Sequence, residues 1–284
     1  MAMTRKTKKT IHEIIMYIVL IVIGIIMIYP LIWMFFASFK SNEEIYGSIS
    51  LLPQSYSWEA FVDGWKGIGE NTYATFFLNS FLLVVPTTLL TVLSSMLVAY
   101  GFARFEFKGK KLAFTLLLST LMLPNAILII PRYSIFRTLN VLDSYWPFYL
   151  LSIFACYPFF TYMIIQFLRG IPRELDESAY IDGCGTFRTL TSILLPLLKP
   201  ALFSAGLFQF LWTYNDYFNS LIYVNSVKKY TVSLALRLSL DSESVVVWKN
   251  VMAMSCLSVL PVVILFFLAQ KYFVEGIATT GLKG

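Results

Sequence analysis

The sequence predicts an all-α integral membrane protein with six transmembrane helices. Three observations carry that prediction. The 284 residues are 58% hydrophobic and 13% charged, with a mean hydropathy of +0.72, whereas a soluble domain carries about 25% charge. Six segments each hold about 20 or more mostly apolar residues, the length that crosses a bilayer. The basic residues alternate in density from one connecting loop to the next, as topogenic charge does. An ordinary soluble enzyme, a disordered chain and a secreted disulfide-rich domain are excluded. The 25 Phe, 17 Tyr and 6 Trp demand more cover than any of those provides.

Residues 1–13 read as a basic N-terminus and 14–37 as the first span. Arg5, Lys6, Lys8 and Lys9 precede it, as they would a signal peptide. The uncharged run from Ile14 to Phe36 is longer than the roughly 7–15 residues of a signal core, so an uncleaved span is expected. The outer loop 38–76 is acidic (Glu43, Glu44, Glu59, Asp63, Glu70) and aromatic (Tyr46, Tyr56, Trp58, Phe61, Trp65). It suits either a cap over the outer face or a docking surface for an extracellular protein. A core of 77–273 follows, with spans at 77–103, 112–131, 145–168, 200–224 and 250–273, a loop at 169–199, and a tail at 274–284. Pro30, Pro86, Pro124, Pro158 and Pro261 fall inside spans. Freed backbone groups at such sites are tolerated where neighbours or a water-filled path satisfy them, and broken helices are common in transporters.

Direction follows from the loops. Fourteen of the 22 basic residues lie in the set shared with the N-terminus, including Arg104, Lys108, Lys110, Lys111, Arg169, Arg173 and Arg188. Eight lie in the other set. Both termini are therefore expected in the cytoplasm. The net charge of +6 is accounted for by this bias and implies no nucleic acid. Cys156 and Cys256 fall in spans and Cys184 in a polar loop, a scatter that suggests neither a disulfide framework nor a metal site.

The chain contains no phosphate-binding loop of its own and neither a His-Glu-x-x-His nor a Gly-x-Ser-x-Gly motif. The single histidine, His12, sits at the edge of the first span. Without a base beside a nucleophile or a relay of buried carboxylates, an energy source outside this chain is expected.

The loop 169–199 has its own architecture. Pro172 suits a first helical turn, and Glu174, Asp176 and Glu177 complement the positive end of a helix. Gly183 and Gly185 would end it. Thr186 would cap a second helix with Leu190, Ile193, Leu194 and Leu197 on one stripe. The expectation is a helix-turn-helix on the cytoplasmic face.

Here the sequence resembles the EAA motif of bacterial ABC importer permeases. Glu177-Ser178-Ala179, Asp182-Gly183, Ile193 and Pro196 stand at the family's spacing, with Ser178 and Cys184 in place of the usual alanines. The resemblance extends over about residues 75–284 and narrows to carbohydrate-uptake permeases like the smaller permease of the maltose system. Ala99-Tyr-Gly-Phe-Ala-Arg104-Phe, Met122-Leu-Pro124, Leu142-Asp-Ser-Tyr-Trp146, Phe210-Leu-Trp212-Thr-Tyr214-Asn215-Asp216 and the ending Gly281-Leu-Lys283-Gly284 carry it.

The resemblance implies a type I importer bundle, one extra N-terminal span before five core helices, in the bacterial cytoplasmic membrane. It implies a second homologous permease, two ATPase subunits and an extracytoplasmic solute-binding protein as partners, besides membrane lipid. ATP and Mg would be bound by the ATPase subunits, with no cofactor or metal on this non-catalytic chain. Glu177, Ser178, Ala179, Asp182, Gly183, Ile193 and Pro196 would couple to the ATPase, and Gly281, Lys283 and Gly284 of the tail would touch it. The solute would be a sugar or oligosaccharide; a polyamine or amino acid is the alternative, and a membrane enzyme or non-transporting scaffold a more distant one.

In the fifth span, Phe208, Trp212, Asn215, Asp216, Asn219 and Tyr223 share a face at three- and four-residue spacing. A carboxylate at a span centre costs about 2.5–3.5 kcal/mol, so Asp216 needs a reason. Aromatic rings beside amides and a carboxylate suit a sugar pathway; they equally suit a polar seam against the partner permease.

Overall fold

A computed structural model describes residues 5–240 and 246–281, with side chains for 11–240 and 246–270. Of the tail residues expected to touch an ATPase, Lys283 and Gly284 lie outside the described residues, and Gly281 is described in its backbone only. No β-strand occurs among the described residues. Five helices are long and apolar enough to cross a membrane, and six if one sharply bent pair is a single span. The chain divides into two compact units, one from the chain up to Ile68 together with Leu238–Leu260, the other from Gly69–Arg237 and the chain from Pro261.

The first unit begins with α1 (Arg5–Ala37). None of its most apolar stretch is buried by the rest of the chain, so its Ile- and Val-rich surface requires lipid or a partner. Two short helices follow, α2 (Asn42–Gly47) and α3 (Glu59–Trp65). The Ser41 hydroxyl accepts from the Glu44 N–H at 3.2 Å and starts α2. Phe39 centres a ring cluster, 5.4 Å from Phe35, 5.2 Å from Trp58 and 5.6 Å from Tyr56. Lys40 is buried and its ammonium donates to the Ser50 carbonyl. Asn42 donates to the Val246 carbonyl at 2.7 Å and accepts from the Trp248 N–H at 3.0 Å, fixing the loop to the start of α14 (Trp248–Gly281). At Gly64 a β-carbon would stand 2.9 Å from Met254 Cε and 3.3 Å from the Asn250 carbonyl, so a larger residue here would require the Met254 side chain to shift. The acidic, aromatic loop is thus a folded cap on the first turns of α14.

The second unit is built on α4 (Tyr73–Arg104), α8 (Pro158–Arg169) and α11 (Leu195–Tyr214). Their shared core contains Met96, Ala99, Tyr100, Phe160, Ile164, Leu168, Leu194, Leu198 and Ala205. Small residues at Ala99, Ala103 and Ala205 let the helices approach closely, the usual packing device where lipid removes the hydrophobic drive between helices.

Three spans depart from single helices at the expected bounds. The segment 112–131 is broken into α5 (Lys110–Leu121) and α6 (Asn125–Thr138), bent by 106°. Pro124 lacks an N–H, disfavours helix at the residue before it, and stands as the N-cap of α6. The segment 145–168 is α7 (Trp146–Ile153) followed by α8, separated at Phe154–Tyr157, where Ala155 adopts φ +51° and Pro158 opens α8. Pro30, Pro86 and Pro261 stay inside intact helices.

The fifth span is displaced rather than merely interrupted. Expected at 200–224, it runs as one helical stretch from Thr186 to Tyr214. It comprises α10 (Thr186–Arg188), a π-helical segment Thr189–Leu194, and α11. Pro200 therefore sits within the span rather than at its start, and Pro196, expected before the span, lies inside it as well. The π turn explains how: the Leu195 N–H bonds to the Leu190 carbonyl, five residues back. This wider turn relieves the clash that a proline ring makes in an α-helix. Residues 217–223 form a separate helix, α12 (Tyr217–Tyr223), followed by α13 (Val232–Leu238).

Candidate functional site

The three breaks meet in one cavity of about 1110 Å³. Leu123 and Asn125 reach it from the first break, Phe154, Ala155, Cys156 and Tyr157 from the second, Asn215 and Asp216 from the third. Helix interruptions belong in a membrane where they line a cavity, because the freed backbone groups need partners.

All six residues of the expected polar face, Phe208, Trp212, Asn215, Asp216, Asn219 and Tyr223, line this cavity. They do not share one helix, however. Phe208 and Trp212 lie on α11, Asn215 and Asp216 in the break, and Asn219 and Tyr223 on α12. Asp216 heads α12: its carboxylate accepts from the Asn219 N–H at 3.0 Å and from the Asn219 side-chain amide at 2.7 Å. The carboxylate is therefore a helix cap and not a charge in mid-helix.

Trp212 is half exposed, its ring 5.2 Å from Phe159 and 5.1 Å from Phe160. The Asn215 amide donates to the Leu211 carbonyl at 2.8 Å. Tyr223 is fully buried between Phe136 at 5.3 Å and Phe148 at 5.6 Å. Among the described residues its hydroxyl lacks a hydrogen-bond partner, as does the Oε1 of buried Gln209, whose amide donates to Thr213 Oγ1 at 2.7 Å. Buried polar atoms left unpaired beside a cavity are ready to bond water or a ligand.

Several polar lining residues were not legible beforehand, among them Asn125, Arg132, Tyr157 and Gln209. Arg132 donates to Asn125 Oδ1 at 2.9 Å; as a loop charge it read only as topogenic. Gln209 lies between two phenylalanines in an apolar run, and its polarity there was the available signal. The cavity offers ring faces, amides, one carboxylate and one guanidinium, a set that binds by stacking and hydrogen bonding. Among the described residues, no cluster of His, Cys, Asp and Glu could hold a metal ion.

The loop between the fourth and fifth spans folds as a hairpin whose second arm is the beginning of the Thr186–Tyr214 stretch rather than a separate surface helix. Its first helix is α9 (Glu174–Ile181), with Glu174, Asp176 and Glu177 in the first turn. Gly183 adopts φ +76°; the Cys184 N–H bonds to the Ala179 carbonyl at 2.9 Å and the Gly183 N–H to the Tyr180 carbonyl at 3.0 Å. This is a Schellman ending, with glycine at its left-handed position. Thr186 is the first residue of the next helix rather than its cap; Gly185 precedes it and no side chain caps that end.

Glu177, Ser178, Asp182, Gly183 and Pro196 are exposed and Ile193 is half-buried. Ala179 is buried, so its small size serves the packing of α9 within this chain. Beside the motif, Tyr180, Ile181 and Phe187 are 81%, 83% and 73% exposed. Three large apolar side chains thus stand exposed on an otherwise polar hairpin.

Residues 76–279 match the family described as binding-protein-dependent transport system inner membrane component. The chain is 36% identical to the probable ABC transporter permease protein YurM of Bacillus subtilis strain 168, over 90% of this chain and 84% of that one. It is 31% identical to the trehalose/maltose transport system permease protein MalG of Thermococcus litoralis, over 98% and 99% of the two chains. Among solved structures it is similar to a chain of a bacterial ABC transporter involved in the import of the acidic polysaccharide alginate. The TM-score is 0.82 at 20% identity, covering 96% of this chain and 99% of the other.

Proposed function

The chain belongs to the binding-protein-dependent transport system inner membrane component family, the permeases of ABC importers, and on that premise we propose that it passes a sugar or oligosaccharide inward across the cytoplasmic membrane. The observation that carries this reading is the cavity. Three helix breaks converge on it, and Trp212, Phe208, Phe159 and Tyr157 stand there beside Asn125, Gln209, Asn215, Asp216 and Asn219. Ring faces suit the apolar faces of pyranoses, and amides and carboxylates suit their hydroxyls. Relatives named for trehalose/maltose, galactooligosaccharide and maltodextrin transport support the same class.

In this reading the chain itself hydrolyses nothing. A second permease completes the path, a solute-binding protein delivers the sugar outside, and two ATPase subunits bind the cytoplasmic hairpins. Both termini face the cytoplasm. Glu177, with Tyr180, Ile181 and Phe187 around it, docks on the ATPase; Gly183 holds the turn that presents them. The tail ending at Gly281, Lys283 and Gly284 reaches the same ATPase pair. Coupling requires that these contacts differ between the ATP-bound and ATP-free states.

The test of the sugar assignment is a binding panel on the cognate solute-binding protein. Saturable binding of a sugar, with amino acids and polyamines inert, supports it; the reverse pattern overturns it.

A further inference from the structure

The last turn of α4 grips the cytoplasmic hairpin on both sides of its turn. Arg104 Nε stands 3.0 Å from Asp176 Oδ2 of α9, with the arginine side chain 6% and the aspartate side chain 21% exposed. Neither atom has a hydrogen-bond partner among the described residues, so the contact is an ion pair without hydrogen-bond alignment. Arg104 also donates to the Ile171 carbonyl at 3.1 Å, and Arg173 returns a bond to the Ala103 carbonyl at 3.2 Å. Across the turn, the Tyr100 hydroxyl donates to the Thr186 carbonyl at 3.2 Å.

Farther along α4, about 15 Å at 1.5 Å per residue, the Ser94 hydroxyl donates to the Ser152 carbonyl of α7 at 2.5 Å. The Tyr149 hydroxyl of α7 donates back to the Leu82 carbonyl at 2.6 Å. Helix α7 ends one residue before the Phe154–Tyr157 break, which lines the cavity.

We infer that the Arg104–Asp176 pair is a latch that makes α4 and the hairpin one moving part, carrying ATPase motion through α4 and α7 to the cavity break. The inference rests on the hairpin being the ATPase contact. A partly buried charge pair suits the task, because parting the charges leaves the buried Arg104 uncompensated. The hairpin therefore moves with α4 instead of sliding over it. Arg104 and Asp176 are positioning residues; neither touches solute or ATP.

Cys156 reports on the far end, since it is exposed and lines the cavity. The experiment uses the complete transporter with Cys184 and Cys256 replaced by alanine, and follows the rate of Cys156 modification by N-ethylmaleimide. Binding of a non-hydrolysable ATP analogue with Mg is expected to change that rate by about fivefold or more, the low end of measured site-to-site couplings. Asp176→Asn and Arg104→Gln are expected to abolish the change while the ATPase subunits still co-purify. The exchanged pair Arg104→Asp with Asp176→Arg should restore it, which a merely structural role would not require.

A nucleotide-insensitive Cys156 in the parent complex overturns the path. An undiminished response in Asp176→Asn overturns the latch, and that variant is conservative enough to be read if Arg104→Gln fails to assemble. Gly183→Leu separates the two ideas. If it leaves the nucleotide response intact, the hairpin reading fails; if it abolishes the response while Asp176→Asn does not, only the latch fails.

Discussion

Asp216 and Asn219 form a closed pair, the aspartate carboxylate accepting both the backbone N–H and the side-chain amide of Asn219. One charge thereby starts α12, ends the fifth span and stands at the wall of the cavity. Asp216→Ala is expected to lower the stability of the complex by about 1 kcal/mol, the usual value of such a cap. Asp216→Asn should retain most of it, since an amide oxygen can still accept from the Asn219 N–H. Thermal unfolding of the purified complex measures both; equal midpoints for Asp216→Ala and the parent would dismiss the capping role.

Trp212 and Asn215 are the lining residues that best test the solute path. Trp212→Ala and Asn215→Ala should each reduce the efficiency of uptake about tenfold, the equivalent of roughly 1.4 kcal/mol. Leu89→Ala, at an exposed position on α4 outside the cavity, should leave uptake unaltered. Unchanged kinetics for both cavity variants in a correctly assembled complex would turn the polar cluster into a packing seam.

Gly183 and Gly185 differ in what they require. A β-carbon at Gly183 would meet nothing within 4 Å, yet its φ of +76° is costly for any other residue. The obstacle is backbone conformation and not crowding. Gly185 has φ −70° and no such demand. Gly183→Leu should leave the protein inserted but abolish stimulated ATP hydrolysis and uptake, whereas Gly185→Ala should behave as the parent. Normal stimulated hydrolysis in Gly183→Leu would sink the coupling assignment.

Asp143 ties the loop after α6 to the loop after α12. It accepts from the N–H groups of Asn225 at 3.0 Å and Ser226 at 2.9 Å and from the Ser226 hydroxyl at 2.6 Å, with Lys229 Nζ 2.9 Å away. Burial raises its pKa, but the hydrogen bonds from Ser226, Lys229 and Asn225 outweigh burial and hold it well below the ordinary 3.8. A depressed carboxyl contributes stability that is complete above its unfolded value and is lost as pH falls through the folded one. Hydrogen-exchange protection of the Asn225 and Ser226 amides should therefore persist from pH 7 to about 4 and collapse only at more acid pH. In Asp143→Ala it should be low throughout. Protection already lost between pH 7 and 5 would contradict this account.

The spans at α1, α4 and α14 were legible because each is an unbroken apolar run whose length alone satisfies the bilayer. The hairpin was legible because Gly183 and the acidic first turn of α9 are local signals with local consequences. The breaks were not. Pro124 and Pro158 stand where new helices begin after a break while Pro86 and Pro261 lie inside unbroken helices, and Pro196 is absorbed by a π turn set by residues before it. Which outcome follows depends on neighbouring helices that a periodicity cannot reveal. The cavity residues were found on a mistaken geometry: regular spacing on one helix was expected, and a capped break brought the same six side chains together.

That this chain lines the path of an ATP-driven sugar importer is tested most directly by uptake into proteoliposomes. The complex, with its partner permease, ATPase subunits and sugar-loaded binding protein, is challenged with ATP inside the vesicle-equivalent of the cytoplasm. The account predicts accumulation of the sugar against its gradient, dependent on ATP and on the binding protein, and cut about tenfold by Trp212→Ala. ATP-dependent accumulation of an amino acid or polyamine instead, or sugar uptake indifferent to ATP, would contradict it.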